Sequence, residues 1–216
     1  MKRTFQKILG LSLLTLASCS GPSQKVVAYD DEGYPLLAEG TLHDASVRYG
    51  NREFTKDGST EYKVIYDSTQ KGAAQAAAYI VSNVYNATGA MMTSIDISQF
   101  DEDISRADHY IIVGSSDLFG DAGKTLPDYK TLGFAGYYIS SYGNNVFLMA
   151  HRLSGYQQGA LTFLRHVVGY DMISEDTVIY ERDGSVMPDM EIKERPDFDW
   201  AHPINNFTEK TKYGLG

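Results

Sequence analysis

The chain has 216 residues, 43% hydrophobic and 22% charged, a balance that allows one ordinary core and excludes wholesale disorder. Lys and Arg number 19 against 28 Asp and Glu, for a formal charge of −9. A polyanion binder needs the opposite surplus to displace counterions, so no nucleic acid is expected as a partner. The single cysteine leaves neither an internal disulfide nor a Cys-based zinc knuckle.

Lys2, Arg3 and Lys7 precede a short apolar stretch at residues 8–17. It is too short to cross roughly 30 Å of hydrocarbon as a helix, so residues 1–18 read as a signal peptide. Leu16-Ala17-Ser18-Cys19 resembles the lipobox of bacterial lipoproteins. That resemblance implies that Cys19 becomes the first mature residue and carries acyl chains on its sulfur and its amine. At about 0.8 kcal/mol per buried methylene, two or three chains anchor a protein stably. The expected location is the bacterial cell envelope, lipid-anchored, and Ser20 after the cysteine points by resemblance to the outer membrane.

Residues 19–60 read as a lipidated tether followed by an irregular segment. Asp30-Asp31-Glu32-Gly33 is a loop, and residues 41–49 allow a strand with His43, Ala45 and Val47 on one face. Residues 61–195 are more legible. Tyr62-Lys63-Val64-Ile65-Tyr66 is β-rich and ends at Asp67-Ser68, a helix-capping pair. Ala73, Ala77, Ile80, Val84 and Ala87 then recur at helical spacing up to Gly89. A short strand is expected within 91–97, a surface turn at Asp101-Glu102-Asp103, and a strand buried on both faces at Tyr110-Ile111-Ile112-Val113. Residues 134–140 and 146–150 form a hairpin whose Gly143-Asn144-Asn145 supplies positive φ. Ala160, Leu161, Leu164, Val167 and Val168 mark a second helix closed by Gly169, and Thr177-Val178-Ile179-Tyr180 a last strand. The order β-α-β-β-β-α-β predicts an α/β fold, one mixed β-sheet with two main helices packed on it. Met91, Met92 and Met149 are assigned to packing.

Gly114-Ser115-Ser116-Asp117 follows a strand but matches no catalytic loop. Leu118 stands where a nucleophile elbow needs its closing glycine, and Ser116 and Phe119 fill the second and third glycine positions of a dinucleotide fingerprint. His43, His109, His151, His166 and His202 show no metal-ligand spacing. The carboxylate pairs Asp101/Asp103 and Asp197/Asp199 sit in polar loops without the burial that splits an acid from a base. No catalytic residue, metal or cofactor is expected within this chain.

The layout resembles the small α/β domain that precedes the catalytic barrel in certain glycoside hydrolases: the α-glucuronidases, the chitobiase-type β-hexosaminidases and related Bacteroides-type proteins. Residues 76–89, with Ala87-Thr88-Gly89 at their end, match that domain's first helix, and Tyr110-Ile111-Ile112-Val113-Gly114-Ser115 its strand and turn. Gly136-Tyr137-Tyr138-Ile139-Ser140 with Asn145-Val146-Phe147-Leu148 matches its hairpin, and residues 155–169 its second helix. Met187-Pro188-Asp189 and Glu194-Arg195-Pro196-Asp197-Phe198 match the exit segment that leads into the barrel. Gln157-Gln158 depart from the usual Arg-Gly pair.

The resemblance implies an accessory role, because in those enzymes the catalytic carboxylates lie on the barrel. Such a barrel takes roughly 250 residues. The expectation is therefore a non-catalytic accessory domain of a secreted glycoside hydrolase, with 196–216 as an exit segment without room for the barrel. The expected partners are the membrane, through the lipid anchor, and a catalytic barrel domain or a polysaccharide. One alternative is a free-standing glycan-binding lipoprotein: 16 tyrosines offer stacking surfaces, and Tyr137, Tyr138, Tyr142 and Tyr156 would then share an open groove. Another is a structural lipoprotein that docks on a partner.

Overall fold

A computed structural model describes residues 26–29, 35–37, 42–174 and 177–195. Cys19, the exit segment 196–216, His202 and the pair Asp197/Asp199 lie outside these residues. In chain order, β1 (Val26–Tyr29) and β2 (Pro35–Leu37) pair as a small antiparallel hairpin. There follow β3 (Leu42–Arg48), β4 (Lys63–Tyr66), α1 (Ala73–Thr88), β5 (Ser94–Asp96) and β6 (Tyr110–Val113). The chain continues through α2 (Ser116–Asp121), α3 (Tyr129–Leu132), β7 (Tyr137–Tyr142), β8 (Asn145–Ala150) and α4 (Leu153–Val168). It closes with the hairpin β9 (Tyr170–Ser174) and β10 (Thr177–Tyr180), and with β11 (Asp189–Arg195).

Seven strands form the main sheet in the order β3-β11-β7-β8-β6-β4-β5. β5, β4, β6 and β8 run parallel to one another, whereas β8-β7, β7-β11 and β11-β3 are antiparallel. The fold is thus α/β with a mixed sheet, and α1 and α4 pack side by side on one face. Val64, Ile111, Val113, Val146 and Leu148 point into that helical layer, while Ile65, Ile112 and Phe147 point the other way under α2. All are fully buried, which explains the continuous apolar runs of these strands. Burying each such side chain contributes about 1.5–3 kcal/mol.

Small residues set how near the helices lie. Ala73, Ala76 and Ala77 are buried on the sheet side of α1. On α4, a methyl group at Gly155 would stand 2.3 Å from the Gly136 carbonyl oxygen, so the helix approaches the sheet where no side chain fits. No helix among the described residues is long and apolar enough to cross a membrane.

Several local expectations change. α2 and α3 are too short to show helical periodicity, yet both are capped: Leu118 N–H donates to Ser115 Oγ at 3.3 Å and Thr131 N–H to Asp128 Oδ1 at 2.9 Å. In the β7-β8 turn only Gly143 has positive φ, because Asn145 is already in β8, donating to the Ser105 carbonyl and accepting from Tyr110 N–H at 3.0 Å. Residues 187–195, matched to an exit segment, include the whole of β11, second strand from the sheet's edge. The strand expected within 41–49 is that edge, and Phe54 is buried against Tyr62, so order extends upstream of Glu61. Met92 and Met149 pack as expected, but Met91 is 80% exposed just beyond α1.

Candidate binding cleft

An open α/β sheet ordinarily takes its ligand at the carboxyl ends of parallel strands, where successive connections leave on opposite faces. Here that point lies between β4, which feeds α1, and β6, which feeds α2. It is filled. A methyl group on Gly114 would meet Ala73 Cβ and Tyr156 Oη at 3.0 Å and Gln70 Cβ at 3.3 Å. Ser116, the residue in the nucleophile position, is exposed in the first turn of α2, while Ser115 before it is buried and spends its hydroxyl on the α2 cap. Ser115 is thus a structural residue.

The four tyrosines considered for glycan contact are not brought into one groove. Tyr137 and Tyr138 are neighbours on β7 and point to opposite faces of the sheet. Tyr137 is buried under α4, where its hydroxyl hydrogen-bonds Thr162 Oγ1 at 2.7 Å and donates to Glu194. Tyr156 is buried in the same layer, hydrogen-bonded to the Ala150 backbone. Tyr138 is buried on the far face, with Phe119 against its ring and Lys193 Nζ 4.9 Å from its centroid. Tyr142 is half-buried, and the Arg106 guanidinium covers one of its faces at 4.9 Å. Burial is the first reason Tyr137, Tyr138 and Tyr156 resist ionisation: it pushes Tyr138 up to about 12, helped by the Glu191 carboxylate, and drives Tyr137 and Tyr156 higher still.

The histidines are dispersed. His43 is exposed, 3.9 Å from Glu194; His109 lies against Tyr62; His151 contacts the Pro127 carbonyl oxygen at 2.8 Å; His166 contacts Tyr49 Oη at 3.3 Å. Among the described residues no three His, Cys, Asp or Glu side chains gather as metal ligands. Asp101 and Asp103 are both exposed.

A cleft of about 550 Å³ opens instead where β3, β11 and the β7-β8 turn meet. Register places its polar wall: Arg48 stands opposite Asp189, Ser46 opposite Glu191, and Glu191 opposite Ser140, all on one face. Arg52 forms the base. Its Nε donates to the Met187 carbonyl at 3.1 Å and its two Nη atoms to the Gly143 and Pro188 carbonyls, and Nη2 pairs with Asp189 at 3.2 Å. One guanidinium thus pins the β7-β8 turn to the segment entering β11.

Glu191 is held just as firmly. Its carboxylate accepts from Tyr138, from Ser140 Oγ at 2.7 Å and from Lys124 Nζ at 3.1 Å. Burial pushes this carboxyl up, but the three donors and the Lys124 charge outweigh it and hold it below the ordinary glutamate value. It stays ionised. Arg48 and Arg106, on the walls, make no ion pair among the described residues.

The sequence assigned none of these cleft residues a binding role; Asp189 entered only with the exit segment and Ser140 only with the hairpin. One signal was present: Asp189, Glu191 and Lys193 alternate with Met190 and Ile192, the pattern of a strand with one polar face.

No family model and no curated protein matches the chain. Among solved structures it is similar to an N-acetyl-β-hexosaminidase of Streptomyces plicatus, at 15% identity over 70% of this chain and 25% of that one, with TM-score 0.39. It is also similar to a GH20 β-N-acetylhexosaminidase of Streptomyces coelicolor A3(2), at 14% identity, 70% and 25% coverage and TM-score 0.41. A third similarity is to CpGH84D, at 13% identity, 72% and 23% coverage and TM-score 0.45. The chain spans about a quarter of the length of each.

Proposed function

We propose that this chain is the N-terminal accessory domain of a secreted glycoside hydrolase, itself non-catalytic, anchored in the bacterial outer membrane through lipid on Cys19. The observation that carries the reading is where the matching segments fall. Residues 76–89, 110–115, 136–148 and 155–169 are α1, β6, the β7-β8 hairpin and α4, which together make the centre of the sheet and its helical layer. The resemblance therefore covers the architectural core of the domain and not its loops.

The cleft carboxylates support a non-catalytic role. Glycoside hydrolysis uses one carboxyl kept protonated as the acid and a second, ionised one as base or nucleophile. Glu191 is held ionised by three donors and so is unsuited to be the acid, and Asp189 is engaged by Arg52 Nη2 at 3.2 Å. The bond-breaking pair is assigned to a barrel domain.

The test is the intact mass of the native protein, extracted by detergent from membranes of the source cells and assayed for glycosidase activity. A polypeptide several tens of kilodaltons larger than 216 residues, acylated and active, is expected. A lipidated species of residues 19–216 alone, without activity, would overturn the accessory-domain reading. Cys19→Ser is expected to move the protein from the membrane to the soluble fraction, and an unchanged distribution would overturn the anchor.

A further inference from the structure

We propose that the cleft between β3, β11 and the β7-β8 turn binds the acidic group of a saccharide, a uronate carboxylate or a sulfate ester, through the guanidinium groups of Arg48 and Arg106. The choice of a saccharide as carrier rests on the reading above; the preference for an anion does not.

The argument begins with charge. The chain carries 28 Asp and Glu against 19 Lys and Arg, so an exposed arginine has many carboxylates to find. Arg48 and Arg106 find none among the described residues, although both line this cleft. The two carboxylates in the same cleft are already neutralised, Asp189 by Arg52 and Glu191 by Lys124. With those two carboxylates paired, Arg48 and Arg106 leave the cleft a positive island on an acidic protein.

Geometry adds preorganisation. Arg106 is stacked over Tyr142, and its backbone is clamped by the Asn144 N–H, which donates to the Arg106 carbonyl at 2.8 Å. Arg48 projects from a strand in seven-residue register with β11. A guanidinium offers a planar fork that matches a carboxylate or a sulfate with two parallel hydrogen bonds. Ser46 and Asn51, exposed on the same walls, provide neutral partners of the kind sugar hydroxyls need. The volume, about 550 Å³, falls within the roughly 300–1,000 Å³ of small-molecule sites.

The experiment titrates the full chain, by calorimetry, with an oligogalacturonate, a sulfated oligosaccharide, a neutral oligosaccharide of equal length and sodium sulfate. Binding of the acidic saccharides is expected, weakening as salt rises from about 50 to about 200 mM. Arg48→Gln and Arg106→Gln are each expected to weaken it roughly tenfold, about 1.4 kcal/mol, while melting at the parent temperature. Arg106→Lys, which keeps the charge and loses the fork, should fall between parent and Arg106→Gln.

Neutral saccharide binding as well as acidic, with both variants unaffected, would overturn the anion site and leave the glycoside-hydrolase reading standing. Sodium sulfate binding as tightly as the saccharides would overturn the saccharide as carrier. Absence of binding by every probe would overturn the proposal outright, while the accessory-domain reading is decided separately by the native mass.

Discussion

Ser140 and Glu191 stand directly opposite each other on β7 and β11, and the serine hydroxyl donates to Glu191 Oε2 at 2.7 Å. Ser140 is fully buried, so its hydroxyl has no water to turn to. Glu191→Ala is expected to cost about 2 kcal/mol in urea denaturation by orphaning Ser140 and Tyr138, and Glu191→Gln about 1 kcal/mol. The pH dependence has a definite sign. The folded carboxyl lies below its ordinary value, so the folded state binds fewer protons than the unfolded one as acid is added. Glu191 therefore stabilises the fold above the unfolded value and loses that contribution as pH falls through the folded one. Glu191→Ala should flatten the acid limb of the stability profile; an unchanged limb would show that the pairing is energetically idle.

At the alkaline end the tyrosines act in the opposite sense. Burial pushes Tyr62 up to about 12, with the nearby Arg52 charge opposing the rise. Between the ordinary value near 10 and that higher one, the unfolded chain gives up a proton that the folded chain retains, so stability falls as pH rises. One such tyrosine contributes a slope of up to about 1.4 kcal/mol per pH unit. Denaturation midpoints at pH values between these limits should drop less steeply in Tyr62→Phe than in the parent, after allowance for the lost hydrogen bond to the Asn144 carbonyl at 3.0 Å.

Gly143 and Gly58 share a left-handed backbone, with φ of 62° and 72°, but not the same surroundings. A methyl group on Gly143 would lie 2.0 Å from the Arg106 carbonyl oxygen, whereas one on Gly58 meets nothing within 4 Å. Gly58→Ala is expected to cost about 1 kcal/mol from backbone strain alone. Gly143→Ala adds a clash with main chain and should cost about 3 kcal/mol or more. Thermal melts of the two variants separate these effects; equal shifts would show that the turn yields.

Arg52 joins the β7-β8 turn to the segment entering β11, with only 13% of its side chain exposed. Arg52→Ala leaves the Met187, Gly143 and Pro188 carbonyls without their donor and Asp189 without its cation. A loss of about 3 kcal/mol is expected. Arg52→Lys should recover only part of it, because one ammonium nitrogen cannot stand in for the three separate nitrogens from which the Arg52 bonds leave. Full recovery by lysine would mean that charge alone mattered.

The centre of the fold was legible because its signals are local. The apolar run at residues 110–113, the alanine periodicity of residues 73–87 and the glycines at 89 and 169 each specify one element from a few adjacent residues. The cleft was not. Arg48 with Arg52, Arg106, and Asp189 come from three separate stretches, brought together by the β3-β11 and β7-β11 pairings and by the Asn144 N–H bond to the Arg106 carbonyl. A count of tyrosines says nothing of which ring faces are covered. Adjacency was the better guide: Tyr137 and Tyr138 on one strand must face opposite ways.

The pairing of β3 with β11 joins the first and last strands of the main sheet, from Leu42 opposite Arg195 to Arg48 opposite Asp189. It sets a timetable for the growing chain. At roughly 5–20 residues per second, β3 waits on the order of ten seconds for β11, its partner among the described residues. Throughout that interval both edges of β3, and the outer edge of β7 from the time it is made, offer open hydrogen-bonding groups to any neighbouring polypeptide. The yield of folded molecules is thus governed by how soon the last strand arrives, and a chain cut before Asp189 keeps those edges open for good.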